Sequence, residues 1–173
     1  MVKMKHILFS LAFLLAGVMA LPAQQALNPK YTQQLKQMYR NTVPLVDAEA
    51  AQEIMANENV LILDTRTKRE FEVSHIEGAQ FVDFDSFRKK DMAGVDRNQK
   101  VIVYCSVGYR SERIGERLQK MGFTDVQNLY GGIFEWKNLG NEVVNEKGAE
   151  TDKVHTFNAD WGQWLDKGEK VTK

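Results

Sequence analysis

The sequence predicts an α/β domain built on a mainly parallel sheet, and three observations lead there. Two runs are apolar without interruption, Val60-Leu61-Ile62-Leu63 and Val101-Ile102-Val103-Tyr104, as in strands covered by helices on both faces. Strand-like and helix-like segments alternate along the chain, the order that βαβ units require. The length of 173 residues sets an expectation of one domain, and 43% hydrophobic with 27% charged residues is an ordinary globular composition.

Taken in order, the chain opens with Lys3 and Lys5 before an apolar stretch over residues 7–21 that only Ser10 and Gly17 interrupt. That stretch is shorter than the ~20 residues a membrane-spanning helix needs. It reads as a secretory signal peptide over residues 1–23, cleaved after Ala20 or Ala23, with an uncleaved anchor as the competing reading. Export to the periplasm or the exterior is the expectation, with no membrane attachment after cleavage. Residues 24–42 form an N-terminal helical extension, because Leu35, Met38 and Tyr39 fit one helical face. Residues 43–46 make at best an edge strand, since Pro44 has no N–H to give a ladder. Asp47 is placed to cap a helix over 48–57.

The strand at 60–63 ends at Asp64, and Phe81-Val82 is a weaker strand. The strand at 101–104 delivers the chain to Cys105. A helix follows over 111–121, with Ile114, Leu118 and Met121 on one face and Gly122 at its C-terminal cap. Residues 126–129 give one more strand, and Gly131-Gly132 opens a short helix through Phe134 and Trp136. Residues 141–152 are polar and loop-like. The rest of the C-terminal extension, which runs over 141–173, carries Trp161, Trp164 and Leu165 at helical spacing behind a cap at Asn158, and is expected to pack on the domain.

Basic and acidic residues balance at 23 each, and loss of Lys3 and Lys5 with the leader leaves a small acidic excess. No electrostatic footprint for nucleic acid results. Exported cysteines normally pair, but this chain has one cysteine. It is a free thiol, an intermolecular bridge or a working nucleophile. Histidine and cysteine nowhere share metal-ligand spacing, and no metal or organic cofactor is expected.

Cys105-Ser106-Val107-Gly108-Tyr109-Arg110-Ser111 joins a buried strand to an amphipathic helix. In parallel sheets, ligands bind where strand ends meet helix starts. A loop curling into a helix turns several backbone N–H groups toward its centre and, with the helix dipole, favours an anion such as a thiolate. Gly108 permits the tight curl. Arg110 adds a permanent positive charge suited to an oxyanion. The competing reading is a buried structural cysteine at the end of a core strand.

The pattern Cys105-x-x-Gly108-x-Arg110-Ser111 resembles the active-site loop of rhodanese-domain sulfurtransferases. So do Asp64-Thr65-Arg66, Glu70-Phe71, and the turn His75-Ile76-Glu77-Gly78-Ala79, in which Glu77 stands for the family's proline. Tyr130-Gly131-Gly132-Ile133 followed by Trp136 is similar to the start of the family's last helix, and the resemblance covers residues 43–140. It implies a three-layer domain with a central, mainly parallel five-stranded sheet flanked by helices. It also implies a two-step reaction without cofactor. Cys105 takes sulfane sulfur from a small anionic donor such as thiosulfate, and a thiophilic acceptor, cyanide or a thiol, removes it. A protein could serve as the acceptor.

By the same resemblance, Ser106, Val107, Gly108, Tyr109 and Arg110 surround the sulfur and bind the donor. Asp64, Arg66 and His75 are supporting residues. Asp64 and Arg66 would pair beside the loop, and His75 reads better as a hydrogen-bonded structural histidine than as a proton shuttle. Ser106 and Val107 stand where family members often carry cations, which puts thiosulfate in doubt as the donor. Two rivals remain. One is a phosphatase or arsenate reductase, whose related loop has one more residue between cysteine and arginine than the four here. The other is a carrier or binding module that holds sulfur without turnover. Trp161 and Trp164 are assigned to tail packing ahead of lining a ligand groove.

Overall fold

A computed structural model describes residues 25–172. The leader expected over residues 1–23 lies outside them. The first helix, α1 (Pro29–Met38), is capped by the Asn28 side chain and buries Tyr31 and Leu35. After it come β1 (Leu45–Val46), α2 (Ala48–Asn57) and β2 (Leu61–Asp64). Asp47 caps α2 by accepting from the Ala50 amide, as expected. A short α3 (Lys68–Val73) and β3 (Gln80–Phe81) precede β4 (Val101–Tyr104), α4 (Tyr109–Lys120), β5 (Val126–Leu129) and α5 (Gly132–Asn138).

Five strands form one sheet in the order β1-β5-β4-β2-β3, and every neighbouring pair is parallel. All residues of β2 and β4 are buried, as their unbroken apolar runs predict. Alternate residues serve opposite faces. Ile62, Ile102 and Tyr104 pack with Tyr31 and Leu35 of α1, Ala51 of α2 and Ile133 of α5, whereas Leu61, Leu63, Val101 and Val103 pack with Ile114 and Leu118 of α4. The connection after β2 leads outward to β3, and the one after β4 leads the other way to β5. In parallel sheets, ligands bind at such a reversal, beyond the carboxyl ends of the strands, and Cys105 directly follows the carboxyl end of β4.

Three segments differ from expectation. Helix α4 begins at Tyr109, two residues before Ser111, because Gly108 with φ 91° serves as its N-cap. Residues 141–152 are not a loose polar loop: Val143 and Val144 are buried, and Val144 bridges His75 through paired backbone hydrogen bonds of 2.8 and 2.9 Å. The C-terminal extension is more than a short helix. It contains β6 (Lys153–His155), a four-residue α6 (Ala159–Gly162) capped by Asn158, and β7 (Glu169–Val171), with β6 and β7 paired in parallel. Val154 and Leu165 are fully buried in the same core as α1 and α5, so both extensions are structural parts of the domain.

Candidate active site

The Cys105 loop leaves the carboxyl end of β4 and returns at once into α4. Backbone groups fix it on three sides. From below, the Ile133 and Phe134 amides at the start of α5 donate to the Cys105 and Ser106 carbonyls at 3.0 and 3.2 Å. The contact demands Gly132: a Cβ there would stand 2.4 Å from the Cys105 carbonyl oxygen. From the side, the Tyr39 hydroxyl donates to the Val107 carbonyl at 2.8 Å and accepts from the Gly131 amide at 2.9 Å. Behind the loop, Ser111 donates to the Asn128 Oδ1 at 2.7 Å, and the Asn128 amide donates to the Gly108 carbonyl at 3.0 Å. Tyr39, Gly132 and Asn128 are therefore braces of the site. Gly132 has a signal in the sequence as part of the Gly-Gly pair and Tyr39 only as a member of an apolar helical face; Asn128 has none.

Within this frame, of the several loop N–H groups expected to face the sulfur, the Gly108 N–H is the one that donates to the Cys105 Sγ, at 3.1 Å. Cys105 is 1% exposed, yet it lines a cavity of about 320 Å³. The structural-cysteine reading requires a thiol packed into the interior with no space before it, and that arrangement is not the one observed. Ser106, Val107, Tyr109 and Arg110 line the same cavity. Gly108 supports it from the backbone, at a place where a Cβ would collide with the Tyr39 ring.

Arg110 departs from its expected role. Its guanidinium is not free for an anion but makes a forked pair with Glu70, at 2.9 and 2.7 Å, and donates to Ser106 Oγ at 3.1 Å. Ser106 in turn donates to Glu70 at 3.0 Å. Burial alone would raise the Glu70 carboxyl. The hydrogen bonds and charge of Arg110, with Arg66 and the Thr67 amide, outweigh it and hold the group at about 2. Glu70 is placed by a capping box with Thr67 at the start of α3. The Thr67-x-x-Glu70 spacing is a capping-box signal present in the sequence, whereas no local pattern signals the link to Arg110.

Asp64 and Arg66 form an ion pair that is wholly buried, not a surface pair, with contacts down to 2.6 Å. Arg66 also donates to the Ser74 carbonyl and lies over the Tyr104 ring, 5.8 Å from its centroid. The pair lies outside the cavity lining. His75 contacts the Phe71 carbonyl through Nδ1 at 3.0 Å and stacks on the Phe71 ring at 3.8 Å. It is a structural histidine, and it does not line the cavity. The two tryptophans divide: Trp164 stacks on Tyr31 at 5.4 Å, whereas Trp161 lines the cavity along with Met38 and Phe157.

A family model described as the Rhodanese-like domain matches residues 47–139, more than half of the chain. The chain belongs to the rhodanese-like domain family. A rhodanese-related protein from Thermoplasma volcanium superposes with a TM-score of 0.54 at 26% identity, over 60% of this chain and 99% of that one. A thiosulfate sulfurtransferase from Pseudomonas aeruginosa gives 0.56 at 25% identity, over 70% of this chain and 23% of that one. Among curated relatives, a tRNA uridine(34) hydroxylase from Leptospira interrogans is 31% identical over 102 residues, which is 56% of this chain and 27% of that protein. The chain thus spans about a quarter of the length of the curated relatives it matches. The rhodanese-like match ends before β6, so Phe157 and Trp161 lie outside it.

Proposed function

We propose that this protein is an exported sulfurtransferase that carries sulfane sulfur on Cys105. The observation behind this reading is a single sulfur at the floor of an open cavity, receiving the Gly108 amide at 3.1 Å while its loop is pinned by α5, Tyr39 and Asn128. In the first step the Cys105 thiolate attacks the outer sulfur of a donor. The Cys105 Sγ–S bond forms, the donor's S–S bond breaks, and the remainder leaves with the electron pair. In the second step a thiophilic acceptor attacks that outer sulfur and restores the thiolate. The loop amide and the positive end of α4 offset charge on the thiolate and on the persulfide alike.

The short loop, with four residues between Cys105 and Arg110, suits one sulfur atom better than a phosphoryl group. Uridine hydroxylation in tRNA, the activity in the Leptospira relative's name, does not carry over. This chain matches only 27% of that protein, and its 23 basic and 23 acidic residues leave no net charge to draw a polyanion. Export rests on the basic, then apolar, start of the sequence.

Mass spectrometry of the intact protein after exposure to a panel of sulfane donors tests the reading. A gain of about 32 Da, absent in Cys105→Ser, is expected. No gain with any donor would defeat it. Multiple turnovers with an added thiol would mark an enzyme, whereas loading without turnover would mark a carrier.

A further inference from the structure

The cavity over Cys105 differs from what thiosulfate needs. Its one cationic side chain among the lining residues, Arg110, is already neutralised by the forked pair with Glu70. A thiosulfate dianion would have to shed water with no free cation to receive it, which is costly in an apolar site. The outer walls are apolar: Met38 from α1, Val107 from the loop, Tyr109 from the first turn of α4, and Phe157 and Trp161 from the C-terminal extension. At about 320 Å³ the cavity sits at the small end of ligand pockets, and it exceeds the roughly 150 Å³ that admits a benzene ring.

Phe157 supplies an independent observation. Its backbone is left-handed, with φ 64°, a conformation in which a bulky side chain is strained. Such strain persists only where the surroundings enforce it, and it gathers at ligand clamps. Here the Phe157 amide donates to the His155 Nδ1 at 3.0 Å, and the ring stands 55% exposed at the cavity mouth, 5.8 Å from the Arg110 guanidinium.

Resting on the sulfur-transfer reading above, we infer that Phe157 and Trp161, together with Met38, form an apolar clamp that selects an organic sulfane-sulfur donor with an aromatic or aliphatic body. For a thiosulfonate the step balances without any oxidant. The Cys105 thiolate bonds to the terminal sulfur, the bond from that sulfur to the sulfonyl sulfur breaks, and the sulfinate departs with the electron pair, leaving a Cys105 persulfide anion. The body of the donor rests between the aromatic walls, where apolar burial favours binding.

The test compares loading of the full-length protein by benzenethiosulfonate and by thiosulfate, read as the second-order rate of persulfide formation by mass spectrometry. Benzenethiosulfonate is expected to load Cys105 on the order of tenfold faster or more, the scale of burying one ring. Phe157→Ala should shrink that ratio severalfold, and Phe157→Tyr should keep it. Phe157 is largely exposed, so the folded state is checked simply by comparing melting temperatures. Equal loading by the two donors, or an unchanged ratio in Phe157→Ala, would overturn the clamp while leaving sulfur transfer at Cys105 intact. Loading of Cys105 by neither donor nor by any other sulfane compound would instead overturn the sulfur-transfer reading itself.

Discussion

Glu70 bears directly on the electrostatics over Cys105, because its carboxylate pairs with Arg110, the cationic side chain among the cavity's lining residues. It also ties that site to stability. The Glu70 carboxyl is held at about 2 in the folded chain, below its ordinary value of 4.5. A carboxyl lowered on folding contributes stability that is complete above the unfolded value and is lost as pH falls toward the folded one. The full contribution is roughly 3 kcal/mol at most, converted from the shift. Wild type should therefore lose this margin between about pH 5 and pH 2, whereas Glu70→Gln, less stable at neutral pH, should lose little by this route. Urea unfolding of both proteins over that range measures the difference, and a gap between them that stays constant with pH would refute the assignment. This residue shows how far a sequence can be read. Its capping box with Thr67 is a local pattern of fixed spacing. Its partner Arg110 lies 40 positions away, and no local rule connects them. Arg110 therefore reads from sequence as an open cation, when the fold has already paired it.

At the level of elements, the C-terminal segment from β6 to β7 is the least legible part and the one that finishes the pocket. Its strands have three residues each, too short for a periodicity to register. Their parallel pairing depends on α6 crossing between them. By contrast, β2 and β4 announce themselves because burial on both faces removes every polar residue before Asp64. His155 at the end of β6 makes the segment sensitive to pH. Burial lowers its pKa below the ordinary 6.5; Glu70 opposes this, and Arg69, Arg66 and Arg110 add to it. The neutral ring accepts the Phe157 amide at Nδ1, a bond that a proton on that nitrogen would abolish. For a histidine lowered on folding, stability is present above the unfolded value and declines as pH falls below it. Hydrogen exchange at the Phe157 amide, corrected for intrinsic rate, should accelerate severalfold between about pH 7.5 and pH 5.5. Protection that does not change over that interval would show that His155 is not what holds the turn.

On the scale of the whole molecule, the family match at residues 47–139 is narrower than the cooperative unit. The face of the sheet that carries Ile62 and Ile102 is covered by α1 from before that match and by Val154 and Leu165 from after it. Asn138, at the end of α5, donates to the Trp164 carbonyl at 2.9 Å and accepts from the Asp166 amide at 2.7 Å. Trp164 then stacks on Tyr31, so the two extensions meet each other across the domain. The sequence places these segments on the domain through their helical spacing, but their shared core depends on contacts more than a hundred positions apart, and no periodic pattern encodes those. One cooperative transition is expected, because both extensions share the core on this face with the strands of the sheet. Two of the chain's three tryptophans, Trp161 and Trp164, lie in the C-terminal extension, so fluorescence reports mainly on that segment while far-UV circular dichroism reports on the sheet and its helices. In urea near pH 7.5, where His155 is neutral, the two signals should give coincident curves with one midpoint. A fluorescence midpoint well below the dichroism midpoint would mean that the extension detaches first, and the aromatic wall over Cys105 would then be a removable cover.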